Sequence, residues 1–224
     1  PRSTLFPYTT LFRSALLDIR VRKAIDMAID REGFVNHLLA GHGEVAVGPF
    51  PKALPFGASH VHGVPYQPDE ARRLLEEAGW KDTDGNGYVD KDGKDLTIRW
   101  LTYPGRMELP ALAELVQDDL KQIGIKVDVE CSADHLKVLE AGDYDVYASA
   151  LVTAPTGDPE YFFHTCALDQ STKNRGFYHN DRLEALAKEM HQTFDIEKRN
   201  QLAIEMQQII LDDHAFYFIS YLEM

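Results

Sequence analysis

Apolar residues take helical spacing as soon as the chain passes Asp18. Val21, Ile25, Ala28 and Ile29 share one face, with Arg20, Arg22, Lys23 and Asp26 on the other. Asp18 is placed to cap that helix, and Asp30 opens a second, short one carrying Phe34, Val35, Leu38 and Leu39, with Gly41 at its C-terminal end. Val45, Val47, Pro49 and Phe50 read as an extended stretch that enters a loop rich in proline and glycine. Pro68 and Asp69 then start an amphipathic helix through Ala71, Leu74, Leu75 and Ala78, stopped by Gly79.

Beyond Trp80, the acidic, glycine-rich segment 81–95 reads as a loop or hairpin feeding a strand at Leu96, Ile98, Trp100 and Leu101. Leu109, Leu112, Val116, Leu120 and Ile123 sit at helical spacing up to Gly124, and Ile125, Val127 and Val129 alternate as a strand, which predicts an α/β crossover. A helix from His135 to Glu140 ends at Gly142, and Tyr144, Val146 and Tyr147 begin a strand running toward Leu151. Asn180 and Asp195 are placed to cap two further helices, carrying Leu183, Leu186, Ala187 and Met190, then Leu202, Met206, Ile209 and Ile210. A last strand, Phe216 to Leu222, runs to the end at Met224, where the chain is expected to be truncated. The alternation predicts an α/β fold with a mixed sheet flanked by helices.

The stretch Pro1 to Ser14 fits neither period and resembles translated adapter sequence, so residues 1–14 are set aside as a non-native or unstructured start and 15–224 carry the fold. Over 224 residues, 44% hydrophobic and 26% charged, the composition is that of a folding globular chain. A formal charge of −13 argues against a phosphate-tracking surface, so no nucleic-acid partner is expected. No apolar run approaches a membrane span. Cys131 and Cys166 are too few for a disulfide framework or a zinc knuckle, though a single disulfide stays open.

Several groupings carry candidate chemistry. Asp82, Asp84, Asn86, Tyr88 and Asp90 follow the first half of a calcium loop with Gly87 at the turn, but Gly93 stands where the bidentate glutamate belongs. A structural calcium site and a plain Asx-rich turn both stay open, the turn being favoured. His60 with His62, and His37 with His42, lack a partner at a recurring metal spacing and read as surface histidines. His164 with Cys166 follows the loop Thr153 to Asp158. A core cysteine beside a partly exposed histidine is favoured there over a hydrolytic or metal-dependent pair, and over a Cys166 nucleophile served by His135 or His164. The pairs Glu76/Glu77, Asp118/Asp119 and Asp212/Asp213 read as solvated helix faces. The loop Thr153-Ala154-Pro155-Thr156-Gly157-Asp158-Pro159, followed by Tyr161, Phe162 and Phe163, leaves a predicted strand. It sits where ligands bind in open α/β sheets, although a tight turn with core aromatics fits equally well.

In order and spacing, several segments resemble the second lobe of the extracytoplasmic solute-binding proteins of ABC transporters, peptide and nickel class (family 5). The carriers are VRKAIDMAIDREGF (21–34), DEARRLLEEAGW (69–80) and the acidic segment after it, with LVQDDLKQIGIKVDV (115–129), 143–163 and 195–211. The resemblance covers about residue 18 to 224. It implies a periplasmic-binding-protein-like (type II) C-terminal lobe, with the first lobe and the signal lying upstream, and a periplasmic or membrane-associated extracytoplasmic location. It further implies a monomer that catches a ligand between two lobes, does no chemistry on it, requires no cofactor and delivers it to permease subunits.

Peptide-binding members place an aspartate three residues before the Asp-Pro pair, where it meets the peptide ammonium; here that position is Pro155. Ala154-Pro155, Ala215-Phe216-Tyr217 and Ile219-Ser220-Tyr221 are more similar to nickel-binding members, whose cargo is a nickel chelate with a small organic metallophore. Their tryptophan and tyrosine fall near Val152 or Thr153 and near Thr156 or Gly157, and their later histidine falls on Ser171, leaving His164 as the nearest substitute. The resemblance therefore implies a carrier of a nickel chelate or a peptide. Expected ligand contacts are Thr153, Pro155, Thr156, Asp158 and Tyr161, with His164 toward metal. Two alternatives are weighed beside it: a metal-dependent hydrolase using His164 and Cys166, and an interaction domain stabilised by calcium at Asp82, Asp84, Asn86 and Asp90.

Overall fold

The computed structural model describes residues 15–222. The expectations for residues 1–14 and for the break at Met224 lie outside the described residues. The chain divides into two compact units, residues 15–39 with 64–150 and residues 40–63 with 151–222.

In the first unit, helix α1 (Ile19–Ala28) starts where Asp18 accepts a hydrogen bond from the Arg20 amide at 2.9 Å. Its buried face holds Val21, Ala24, Ile25 and Ala28, as the spacing predicts. Asp26 departs from the expectation of a polar face: it is buried and paired with Arg31. Asp30 caps the short helix α2 (Arg31–Gly33), which widens into π-type turns over Phe34–Leu38. The left-handed exit begins one residue before the expected Gly41, at Ala40 (φ 50°). Helix α3 (Pro68–Glu77) packs on α1 and ends at Gly79 (φ 89°).

A hairpin of β2 (Asp90–Lys91) and β3 (Lys94–Asp95) leads into β4 (Thr97–Thr102). Helix α4 (Glu108–Gln122) crosses to β5 (Lys126–Cys131), parallel to β4 with Trp100 opposite Val129. After α5 (His135–Ala141), β6 (Val146–Tyr147) joins the other side of β4, also parallel, giving the order β5-β4-β6. Ile98, Trp100 and Leu101 of β4 are buried, and so are Leu112, Val116 and Leu120 of α4. The expected strand toward Leu151 stops at Tyr147, so the loop at Thr153 does not leave a strand directly. Asp119 corrects the expectation of a solvated pair: it is buried, and its Oδ2 accepts the Asp30 amide at 2.8 Å.

In the second unit, β1 (Gly43–Val45) pairs antiparallel with β7 (Ser220–Leu222), which is shorter than the strand expected from Phe216. Tyr221 seals this end by donating its hydroxyl to the Gly48 and Phe50 carbonyls at 2.7 and 2.9 Å. A short helix α6 (Glu160–Phe162) continues as π-type turns over Phe163–Ala167. Asn180 caps α7 (Asp181–His191), and Asp195 caps α8 (Ile196–Asp212). Phe50, Phe162, Phe163, Cys166, Leu186, Met190, Met206 and Ile210 share one core. Asp213, expected to be solvated, accepts the Tyr178 hydroxyl at 2.6 Å and the Asn180 side-chain amide at 2.9 Å. The α/β class thus holds, with strand pairing among the described residues divided over three small sheets: one parallel sheet of three strands and two antiparallel pairs.

Candidate functional site

The segment singled out in the sequence lies in the second unit as a turn rather than a strand extension. The Gly157 amide donates to the Ala154 carbonyl at 3.1 Å, and Gly157 holds the left-handed φ of 76° that closes the turn. Pro155 and Thr156 are exposed, Thr153 is half-buried, and Tyr161 keeps 41% of its surface exposed. The turn therefore presents Pro155, Thr156 and Tyr161 to solvent.

Asp158 is engaged from within the unit. Its Oδ1 accepts the Glu160 amide at 2.8 Å, and both its oxygens lie 2.9 Å from Nη2 of Arg199. Arg199 rises from the first turn of α8, and its Nη1 donates to the Met190 and Thr193 carbonyls at 2.8 and 3.1 Å. It thereby fastens the turn to the end of α7. The carboxylate nearest the turn is neutralised by a guanidinium, which leaves little charge there for a ligand ammonium.

The same guanidinium reaches Oε2 of Glu160 at 2.9 Å. The other oxygen, Oε1, faces Nε2 of His164 at 3.1 Å and Nδ1 of His191 at 2.7 Å. Burial pushes the Glu160 carboxyl up, but hydrogen bonds from His191 and Arg199 hold it below its ordinary value. Sequence reading found His164 and missed both of its partners. The Glu160–His164 spacing of one helical turn was legible, whereas His191 is brought in only by the packing of α7.

Cys166, two residues past His164, points the other way into the core, and burial pushes its thiol up. A buried thiol with a raised pKa is a poor nucleophile. The structure thus separates the pair that a hydrolase would need together. Cys131 is exposed, and both cysteines are free thiols, which answers the open question of a disulfide. Ser171, standing where a cleft histidine was sought, is spent on a turn: its Oγ donates to the Phe163 carbonyl at 3.1 Å and accepts the Leu168 amide at 2.9 Å. His37, His42, His60 and His62 are exposed, as expected.

In the first unit, Asp82, Asp84 and Asp90 bring carboxylate oxygens within 4.8 Å of one another. These oxygens serve the turn itself. Asp82 accepts the amides of Gly85, Asn86 and Gly87 at 2.7, 3.1 and 3.0 Å. Asp84 accepts from Asn86, whose own side chain accepts the Tyr88 amide at 2.8 Å. Hydrogen bonds from the Thr83 amide and hydroxyl hold the Asp90 carboxyl below its usual value. This is the pattern of the Asx-rich turn.

A second group was missed by sequence reading. Tyr103 follows β4, His135 opens α5 just after β5, and Tyr147 ends β6, so all three stand at the carboxyl ends of the parallel strands. The Tyr103 and His135 rings stack at 4.5 Å, and Tyr147 lies 6.1 Å from His135 with its ring tilted by 14°. The His135 Nδ1 is buried without a hydrogen-bond partner among the described residues. Open parallel sheets bind ligands at this edge. The available signal was position, one ring-bearing residue just past or at the end of each of three strands.

Comparisons with known proteins follow the same lines. The sequence pattern of the bacterial extracellular solute-binding proteins, family 5, middle region, matches residues 3–174. The chain is 28% identical over 204 residues to the nickel-binding protein NikA of Staphylococcus aureus, covering 90% of this chain and 39% of that protein. It is 32% identical over 219 residues to the oligopeptide-binding protein AppA of Bacillus subtilis, covering 91% of this chain and 38% of that one. Among solved structures, AppA in complex with a nonapeptide superimposes with a TM-score of 0.81 at 28% identity, over 93% of this chain and 42% of that chain. The nickel ABC transporter protein of Bacillus halodurans superimposes at 0.82 with 30% identity, over 93% of this chain and 43% of that one. The chain thus spans about two fifths of the length of the curated relatives it matches. No helix among the described residues is long and apolar enough to cross a membrane.

Proposed function

The chain belongs to the family 5 bacterial extracellular solute-binding proteins, and from that premise we propose that it is the C-terminal lobe, residues 15–224, of the ligand-capturing component of an ABC import system. Its cargo is a nickel chelate, or failing that a peptide, closed between two lobes and handed to permease subunits. The protein acts outside the cytoplasmic membrane, as a monomer, and leaves its cargo chemically unchanged. The observation that carries the reading is the family pattern running through residues 3–174 in order.

The engagement of Asp158 by Arg199 favours a chelate over a peptide. With Pro155 where the resemblance expects an aspartate, the turn offers no free carboxylate to a peptide ammonium. Thr153, Pro155, Thr156 and Tyr161 are the proposed contacts in the second unit, and Asp158 positions the turn rather than touching cargo. Tyr103, His135 and Tyr147 form a proposed aromatic platform in the first unit, suited to a planar ligand group.

The test is native mass spectrometry of the full-length protein, purified without denaturation, beside an elemental metal count. Nickel with an added organic mass supports the chelate. A peptide-sized mass without metal replaces it with a peptide, and no retained small molecule on any candidate cargo overturns the carrier reading.

A further inference from the structure

We infer that Glu160, His164 and His191 form a site for one divalent transition-metal ion, held directly by these side chains and independent of any carried solute. The three ligand atoms lie within 4.8 Å of one another. Both imidazole nitrogens face the same oxygen, Glu160 Oε1, at 3.1 and 2.7 Å. Nitrogen and oxygen ligands each sit about 2.0–2.2 Å from zinc, so a pair of them stands about 3–3.5 Å apart around one ion. The two nitrogen–oxygen spacings lie within or just below that range, and the two nitrogens lie within 4.8 Å of each other. An ion seated among them takes the place of the protons that otherwise bridge each nitrogen to the carboxylate.

The arrangement is built rather than incidental. Glu160 and His164 are one turn apart on the same helical segment, and His191 is the last residue of α7. Beneath them Phe162, Phe163, Cys166, Leu186, Ala187 and Met190 belong to one buried cluster, which fixes the two segments against each other. Arg199 holds the other Glu160 oxygen at 2.9 Å and so orients the carboxylate, the service that outer partners give metal ligands. Its charge is matched by Asp158, so the group Glu160, Asp158 and Arg199 keeps one net negative charge for the ion.

The His164 and His191 side chains are 47% and 73% exposed, leaving the outer side open for water to complete the coordination. Two imidazoles and one carboxylate select zinc, nickel or copper over calcium and magnesium. A bound ion would tie the segment Glu160–Ala167 to the end of α7.

The experiment is isothermal titration calorimetry on the tag-free full chain, stripped with chelator and titrated with zinc chloride or nickel chloride, with no metallophore present. One ion per chain is expected. His164→Ala and His191→Ala should each abolish that binding event, and Glu160→Gln should weaken it by at least about tenfold. His60→Ala/His62→Ala should leave it intact. Because both site histidines are exposed, the variants should keep the circular dichroism of the parent, and zinc should raise the melting temperature of the parent but not of His191→Ala. Absence of binding in the parent, or parent-like binding in both single histidine variants, overturns the site. Since the titrant is a bare ion, failure here leaves the chelate-carrier reading standing, and failure of that reading leaves this one.

Discussion

Nη2 of Arg199 sits 2.9 Å from each carboxylate oxygen of Asp158, joining the first turn of α8 to the turn that follows residue 153. Arg199 is 16% exposed and carries two further backbone contacts, whereas Asp158 is 46% exposed. Truncating the more buried partner should therefore cost more. Arg199→Met is expected to destabilise by about 2–4 kcal/mol, because it removes the cation shared by Asp158 and Glu160 and a donor to each of two carbonyls. Asp158→Asn should cost about 1 kcal/mol, because solvent screens the half-exposed pair. Urea denaturation of both variants checks the order, and a larger loss in Asp158→Asn would contradict it.

Gly57 has no room for a side chain. A Cβ built there would stand 1.9 Å from the Pro51 carbonyl oxygen, a backbone atom that cannot move aside cheaply. The neighbouring Phe56 packs edge-on against Phe50 at 4.9 Å, so any backbone shift is passed to the aromatic core. Gly57→Ala should lower stability by about 2 kcal/mol or more, read as a fall in the urea midpoint. A parent-like midpoint would mean that the loop relaxes freely.

The elements were largely legible because their signals are local: Asp18, Asp30, Asn180 and Asp195 cap helices as read, and Gly79, Gly124 and Gly142 adopt left-handed φ at helix ends. What failed was long-range. Asp119 looks solvated in the sequence because the Asp30 amide that reaches it lies 89 residues away, and Asp26 because its nearness to Arg31 in the chain does not show that the pair is buried. For the same reason His191 could not be joined to Glu160 and His164, nor Tyr103 to His135 and Tyr147. Asp158 was legible as a special residue, but its partner was not, since Arg199 lies 41 residues away.

Asp119 gives a pH prediction with a definite sign. Burial pushes its carboxyl above the ordinary value of 3.8, despite the hydrogen bond it accepts from Asp30. A carboxyl whose folded pKa is raised contributes stability below its unfolded pKa and loses it as pH rises through the folded value. Asp119→Asn keeps an acceptor for the Asp30 amide and removes the buried charge. It should be more stable than the parent at pH 7, with the difference shrinking as pH falls toward 4. Denaturation midpoints across that range test the sign, and a destabilised variant at neutral pH would refute it.

The carboxylates at Asp82, Asp84 and Asp90 distinguish a self-sufficient turn from an ion-dependent one. Asp82 accepts three backbone amides, so Asp82→Ala should cost about 1–2 kcal/mol with no ion involved. The same loss should be measured in chelator and in millimolar calcium, and the parent's melting temperature should not differ between the two. A parent that melts higher in calcium, with the increment lost in Asp82→Ala, would return the ion-dependent reading.

The aromatic group of the first unit separates stability from binding. His135 stacks on Tyr103 at 4.5 Å while its Nδ1 is buried without a partner among the described residues, an arrangement that costs folding energy. His135→Phe keeps the stacking and removes the unsatisfied nitrogen, so stability should hold or rise by about 1 kcal/mol. If the group serves as a platform at the strand ends, cargo affinity of the full-length protein should fall in the same variant, because an imidazole tolerated at such a cost is retained for what it touches. The two measurements are independent. Unchanged affinity together with raised stability would remove His135 from the ligand surface, and lowered stability would show that the nitrogen is satisfied in solution and that the ring belongs to the core.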